Sequence, residues 1–327
     1  MQLKSFSIGI DIGGTNTAFG LVNRRGDILV QDRLHTQDYA NPELFVQAIY
    51  DNLKPYIEQY GKSQINGIGA GAPIANHYTG EILMSANLLW KGAIPLQRLL
   101  SDTFGLPATI TNDANATAIG EMTYGAAKGM KDFIIITLGT GVGSGFVANG
   151  QLIYGHDGFA GELGHTIVVR DGRLCGCGRK GCMETYASAT GIVRTAMELI
   201  ALHERDPIPE HEDWLLNVFS RGDEISSSGI YKAAVTGDPL AIEIFEFTGK
   251  ILGETLANAV AITSPEAIIL FGGLAKAGDF ILKPTKKYME LNLLSVYRDK
   301  IDIIPSGLSE RDAAILGAAA LGWNLTH

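Results

Sequence analysis

A repeat constrains this chain more than any other feature. A buried strand from Phe6 to Ile12 breaks at Gly13-Gly14-Thr15-Asn16-Thr17, resumes from Ala18 to Val22, and turns at Asn23-Arg24-Arg25-Gly26. The pattern returns ~125 residues later, at the spacing of a duplicated unit. Phe133 to Leu138 reads as strand, Gly139-Thr140-Gly141-Val142-Gly143-Ser144-Gly145 as tip, Phe146-Val147 as strand and Asn149-Gly150 as a tight turn. In both copies the tip leads into another strand, so neither fits the dinucleotide fingerprint, whose glycine turn opens a helix. Paired glycines let backbone amides approach a phosphate, and Thr15, Asn16 and Thr17 add donors. Two phosphate-cradling hairpins predict an α/β chain of two related domains facing each other across a nucleotide. Asp11 closes the first strand, placed for a hydrated Mg²⁺, although an ordinary hairpin with a surface aspartate has the same sequence.

Between the copies, Pro42 to Tyr60 has helical periodicity, Ile65 to Ala72 is a glycine-rich strand ending at Pro73, and a short helix runs from Pro95 to Phe104. A strand at Thr109 to Thr111 then delivers Asn112-Asp113 immediately before a helix from Ala114 to about Ala127. Asp113 suits an N-cap, because its carboxylate accepts free amides. Strand C-termini are also where open α/β sheets place ligands, and a carboxylate there can take a proton from an attacking hydroxyl. The base is the reading favoured here. Beyond the second hairpin come a helix from Ser188 to His203, a polar stretch from Asp206 to Glu224 of variable structure, and a long helix from Gly237 to Ile262. The strand Ala267 to Phe271 meets a third glycine pair, Gly272-Gly273, against which adenine or ribose can lie. Ser309 to Leu321, rich in alanine and glycine and with Ser309 as a candidate N-cap, can pack closely on a sheet and close a domain begun elsewhere.

All three cysteines, Cys175, Cys177 and Cys182, lie ten to seventeen residues after His165. Three thiolates and one imidazole complete a zinc tetrahedron without leaving a position for water, so such an ion is structural. The glycines at 176, 178 and 181 let the loop fold back on itself. Free cysteines or one disulfide are the alternative, though compact Cys/His clusters in an otherwise cysteine-free chain usually mark metal. Glu162 and Glu184 flank the cluster, so a zinc staple holds two carboxylates in place.

With 327 residues, 46% of them hydrophobic, the chain can bury a large core in two domains. Its net charge of −9 and lack of a basic block predict no nucleic-acid or membrane partner. A strand-like run begins at once, leaving no room for a secretory leader or for a DNA-reading module ahead of Ile8, and no stretch is apolar enough to span a membrane. A cytoplasmic protein is expected, where reduced cysteines in a metal site belong.

Together these residues resemble the ROK family of sugar kinases, repressors and uncharacterised reading frames, within the wider actin, hexokinase and 70-kDa heat-shock protein superfold. The resemblance spans nearly the whole chain. It rests on Asp11-Ile-Gly-Gly-Thr15, Asn112-Asp113-Ala-Asn115, Leu138-Gly-Thr140-Gly-Val-Gly143, Gly161-Glu162-Leu-Gly164-His165 and the loop from Cys175 to Glu184. It implies two ribonuclease-H-like (actin-like ATPase) domains with a central cleft. The first spans residues 1–113 plus 309–327, and the second residues 114–308 with the zinc loop. It further implies ATP-dependent phosphorylation of a hexose, glucose foremost, with N-acetylmannosamine, N-acetylglucosamine, allose or fructose, or sugar-sensing regulation without catalysis, as alternatives.

By the same resemblance Asp113 is the base, and Asn87, Asn112, Glu162, His165 and Glu184 hold sugar hydroxyls, His165 with one ring nitrogen on zinc and the other on sugar. Gly13, Gly14, Thr15, Thr140, Gly141 and Gly272 line the ATP site, with Asn16, Thr17, Gly143 and Gly273 beside them and Asp11 positioning Mg²⁺. The family habit implies a homodimer or tetramer. Two segments depart from the family pattern, Gly71-Ala72-Pro73-Ile74 for Gly-x-Pro-Gly and Ser85-Ala86-Asn87 for Pro-Asn, and both bear on which hexose is taken.

Overall fold

The computed structural model describes residues 4–83, 88–205, 224–323 and 325. Asn87 and residues 206–223 of the polar stretch lie outside them. By packing, the chain divides into two units: Met1–Lys131 with Gly145–Gly161 and Ser306–His327, and Asp132–Ser144 with Glu162–Pro305.

In the first unit, β1 (Phe6–Ile12), β2 (Asn16–Asn23), β3 (Ile28–His35), β4 (Ile65–Gly71) and β8 (Ala108–Thr111) form one sheet in the order β3-β2-β1-β4-β8. β1 runs antiparallel to β2 and parallel to β4, and β4 runs parallel to β8. Short strands β5 (Ala75–Asn76), β6 (Glu81–Leu83) and β7 (Ala93–Ile94) make a separate three-stranded sheet. Every residue of β4 is buried because helices cover both faces of the large sheet. One face carries the main core, where α1 (Pro42–Tyr60) contributes Phe45, Ile49, Leu53 and Ile57, and α2 (Leu96–Phe104) adds Leu100 and Phe104.

The other face is closed by the last helix, Glu310–Trp323, which follows Ser309, whose hydroxyl accepts from the Asp312 amide. Glycines bring this helix unusually near: a Cβ on Gly69 would lie 1.9 Å from the Ala318 carbonyl, and one on Gly9 2.2 Å from that of Ile315. The buried Ser7 hydroxyl donates to the Ala319 carbonyl at 2.8 Å, and Asn66 Nδ2 to that of Gly322 at 2.7 Å. Helix α3 (Asp113–Tyr124), expected with the second domain, packs here instead, because Gly120 and Gly317 let it lie close against the last helix.

In the second unit, β9 (Phe133–Leu138), β10 (Val142–Ala148), β12 (Ala267–Phe271) and β13 (Asp302–Pro305) follow the same winding, in a sheet ordered β11-β10-β9-β12-β13. The unit boundary falls within β10, whose end and β11 (Gln151–Leu152) count with the first unit. The repeat read from the two hairpins is therefore a repeat of whole five-stranded sheets. The second tip is shorter than expected, since β10 begins at Val142 and takes in Gly143 and Gly145. Asn149 and Gly150 both have positive φ, 52° and 73°, as a two-residue type I′ turn requires.

Helices α4 (Glu184–Ala187), α5 (Ala189–Arg205), α6 (Ser227–Val235), α7 (Pro239–Thr263) and α8 (Asp279–Asn292) complete this unit, and the Glu310–Trp323 helix is hence α9. α7 starts on an Asp238 cap with Pro239 in the first turn. No helix of the described residues is long and apolar enough to cross a membrane.

Candidate active site

In the first unit the carboxylates predicted to do chemistry gather at the C-terminal edge of the sheet. Asp11, Gly71 and Thr111 are register partners across β1, β4 and β8, and Asp113 follows two residues on. A Cβ on Gly71 would lie 3.6 Å from Asp11 Oδ1 and 3.7 Å from Asp113 Cα, so a bare backbone separates the two acids. Asp113 is not the cap of α3. Asn112 is, its Oδ1 accepting from the Asn115 amide at 2.7 Å, and Asp113 occupies the first helical position. Asp113 is exposed, with Oδ1 accepting from the Ala114 amide at 2.8 Å. Asn112 keeps its amide nitrogen for a ligand. Burial, reinforced by the Asp113 carboxylate, pushes Asp11 up to about 7. A half-buried acid beside a second acid is relieved by a cation, so the donor chemistry fits Mg²⁺.

The first glycine tip is tied down from behind. The Gly13 amide donates to the Asn16 carbonyl, which sits where a Gly13 side chain would go. Thr36 donates its hydroxyl to the Gly13 carbonyl at 2.9 Å and its amide to that of Thr15 at 2.8 Å, while Gln37 Nε2 reaches the Gly14 carbonyl. With these carbonyls engaged, the remaining tip amides are what an anion would meet. Thr15 and Asn16 are exposed, but Thr17 is buried with its hydroxyl on Thr36 at 2.9 Å, so it supports the tip from within.

The second tip has a matching strap from α5. The Ala189 amide donates to the Gly139 carbonyl at 2.8 Å and the Thr190 hydroxyl to that of Thr140 at 2.9 Å. Thr140 is exposed. The Gly143 amide turns inward to Thr137 Oγ1 at 3.1 Å. Gly141 is a glycine because Glu184 Oε2 lies 2.4 Å from where its Cβ would be, and that oxygen accepts from the Val142 amide at 2.9 Å. Gly272, at φ 104°, is held against the Leu138 carbonyl at the end of β12, and Gly273 is exposed with open space around it.

The cysteine loop folds as its spacing suggests, with Gly178 and Gly181 doing the bending at φ 84° and 79° and Gly176 staying out of that region. One ligand atom from each of His165, Cys175, Cys177 and Cys182 lies within 4.8 Å of all the others. Cys177 and Cys182 sulfurs are 3.6 Å apart, and Cys175 Sγ is 3.7 Å from His165 Nδ1. Sulfurs on a tetrahedral zinc with 2.3 Å bonds sit about 3.8 Å apart, so the set fits that ion. Burial pushes Cys175 up to about 12, whereas the Arg179 amide holds Cys177 down at about 6. A Cβ on Gly164 would strike the Val142 carbonyl at 2.2 Å, which pins the Leu163–His165 turn to β10. His165 then turns Nδ1 to the sulfurs and Nε2 toward Glu162 Oε2, 3.9 Å away. Cys175 Sγ also contacts Glu184 Oε1 at 3.7 Å, joining cluster, carboxylate and glycine tip in one network.

Thr36 and Thr190 carry no sequence motif, and only the fold brings them to the tips. The sequence ties Gly71 only to the hexose segment, and its place between the two acids comes from the register of β1 and β4.

The ROK family model matches residues 7–324. A glucokinase from Halalkalibacterium halodurans is 35% identical over 320 residues, 97% of this chain and 93% of that protein. A xylose repressor from Caldicellulosiruptor bescii is 30% identical over 96% of this chain and 77% of its own length. A crystal structure of a ROK family glucokinase from Streptomyces griseus in complex with glucose and AMPPNP aligns over 97% of this chain and 98% of that one, with a TM-score of 0.77 and 34% identity.

Proposed function

The chain belongs to the ROK family, and from that premise we propose that it phosphorylates a hexose with ATP, converting glucose to glucose 6-phosphate. The observation that carries this reading is Asp113, an exposed carboxylate at the end of β8, relieved of capping by Asn112 and set beside Asp11 across Gly71. The 6-hydroxyl oxygen bonds to the γ-phosphorus, the bond from that phosphorus to the bridging oxygen breaks, ADP departs, and the hydroxyl proton passes to Asp113. Asp11 holds Mg²⁺, which supplies charge neutralisation when bound. Amides of the two strapped tips receive phosphate oxygens. Asn112, Glu162, His165 and Glu184 hold sugar hydroxyls, and a misplaced hydroxyl in such a set leaves acceptors unpaired. Cys175, Cys177, Cys182 and His165 Nδ1 hold a zinc ion that fixes the loop; the sulfur spacing supports this.

Sugar-dependent ADP release from Mg-ATP, run with glucose, mannose, fructose, allose, N-acetylglucosamine and N-acetylmannosamine, tests the reading. Glucose is expected to be preferred. Asp113→Asn is expected to bind glucose within a few-fold of the parent while losing roughly 10²–10⁴ in kcat. A folded, zinc-loaded protein with no sugar-dependent release would replace the kinase with a sugar-binding regulator, a reading in keeping with the likeness to a xylose repressor. Near-normal turnover in the variant would remove Asp113 from its role.

A further inference from the structure

We infer that Arg173 is a positioning residue for sugar binding, fixing Glu184 by a lock separate from the cysteine cluster; this rests on the kinase reading and assigns a further residue to it. Glu184 lies on α4, a single four-residue turn with no side-chain cap, which has little rigidity of its own. Arg173 supplies it. Its Nη1 donates to the carbonyl of Thr185, the residue after Glu184, at 2.7 Å, and to that of Gly191 in the first turn of α5 at 3.1 Å. Its Nε and Nη2 make a fork on Glu198 of α5, at 2.8 and 2.6 Å, and Nη2 also meets Thr195 Oγ1 at 3.0 Å. The guanidinium carbon stands 4.3 Å over the Tyr186 ring, and the Arg173 amide donates to the Tyr186 hydroxyl at 3.0 Å.

Every nitrogen of the head is engaged, and the side chain is only 8% exposed. No single acceptor accounts for a planar five-donor fork; four groups from two helices do, two backbone carbonyls, a hydroxyl and a carboxylate. Gly191 completes the joint, since a Cβ there would lie 2.9 Å from the Glu184 carbonyl and 2.7 Å from the Tyr186 carbonyl carbon. Arg173 thus clamps both neighbours of Glu184 in space while its own chain continues into Cys175. A carboxylate that reads sugar hydroxyls has to be held within about half an ångström, and a 1 Å error can cost about 10²-fold.

The test uses the full chain carrying one zinc per protomer, with Arg173→Met, Arg173→Lys and Glu198→Gln. Glucose affinity is read by calorimetry without nucleotide, beside the KM for Mg-ATP, well below each variant's Tm. Arg173→Met is expected to bind glucose roughly ten- to hundredfold more weakly, with zinc content kept and the KM for ATP within about twofold. Arg173→Lys should fall between, because an ammonium cannot reproduce the fork. Glu198→Gln, at a half-exposed site where folding is secure, should weaken glucose a few-fold in the same direction. A lowered Tm with glucose affinity unchanged in Arg173→Met and Glu198→Gln would make the cluster purely structural and overturn the inference. If Arg173→Met does not fold, unchanged affinity in Glu198→Gln alone does so. Parent protein without glucose binding or turnover would instead unseat the kinase reading.

Discussion

At the residue scale, the two neighbouring acids cost the ligand-free fold stability. Asp11 shows this through its pH dependence. Below pH ~4 the carboxyl is protonated in folded and unfolded chains alike. Between there and about 7 the unfolded chain releases its proton first, because burial and Asp113 hold the folded group protonated. Stability contributed by Asp11 is therefore full below pH ~4 and lost as pH rises through about 7. Asp11→Asn should abolish that loss, leaving the variant more stable than the parent at pH 8 without Mg²⁺, by on the order of 4 kcal/mol. Denaturant titrations at pH 5 and pH 8 without added Mg²⁺ check this; a parent no less stable relative to the variant at pH 8 than at pH 5 contradicts it.

At the scale of elements, the glycine-bent loop depends on close approaches that no other residue permits. A Cβ on Gly181 would lie 1.7 Å from the Val169 carbonyl, at a backbone φ of 79°. Gly181→Ala is expected to open the cysteine cluster, lower zinc content and cost about 1–3 kcal/mol. Competition with a chromophoric zinc chelator measures it, and parental zinc retention would show that the loop tolerates a shifted backbone. This level was also the most legible in the sequence. Buried strands such as Phe133–Leu138 and Ala267–Phe271 are apolar runs between glycines, and α1 shows its apolar stripe, so their bounds came out as read. Three features stayed hidden, one of them decided by local backbone geometry and the others by where the fold sets their partners. The cap of α3 fell to Asn112 rather than Asp113 by the local φ and ψ alone. The straps at Thr36 and Thr190, and the Arg173 clamp, are ordinary polar residues until the fold sets carbonyls against them.

At the scale of the molecule, one sheet depends on segments about three hundred residues apart, β1 and the helix Glu310–Trp323. Helix α9 lies so close over β4 that Gly69→Ala would place a methyl inside the van der Waals radius of the Ala318 carbonyl. The substitution should destabilise the first unit by about 1–3 kcal/mol or more, read as a fall in Tm with little change in zinc content. A Tm within a degree of the parent would mean that α9 can back away. The same packing has a consequence for synthesis. A ribosome extends chains at roughly 5–20 residues per second, and segments fold as they emerge. The strands of the first sheet are complete by Thr111, yet their second cover, with the acceptors for Ser7 and Asn66, follows only from Glu310. While the roughly two hundred residues between β8 and α9 are being added, the nascent chain therefore carries a glycine-lined sheet face that lacks this helix.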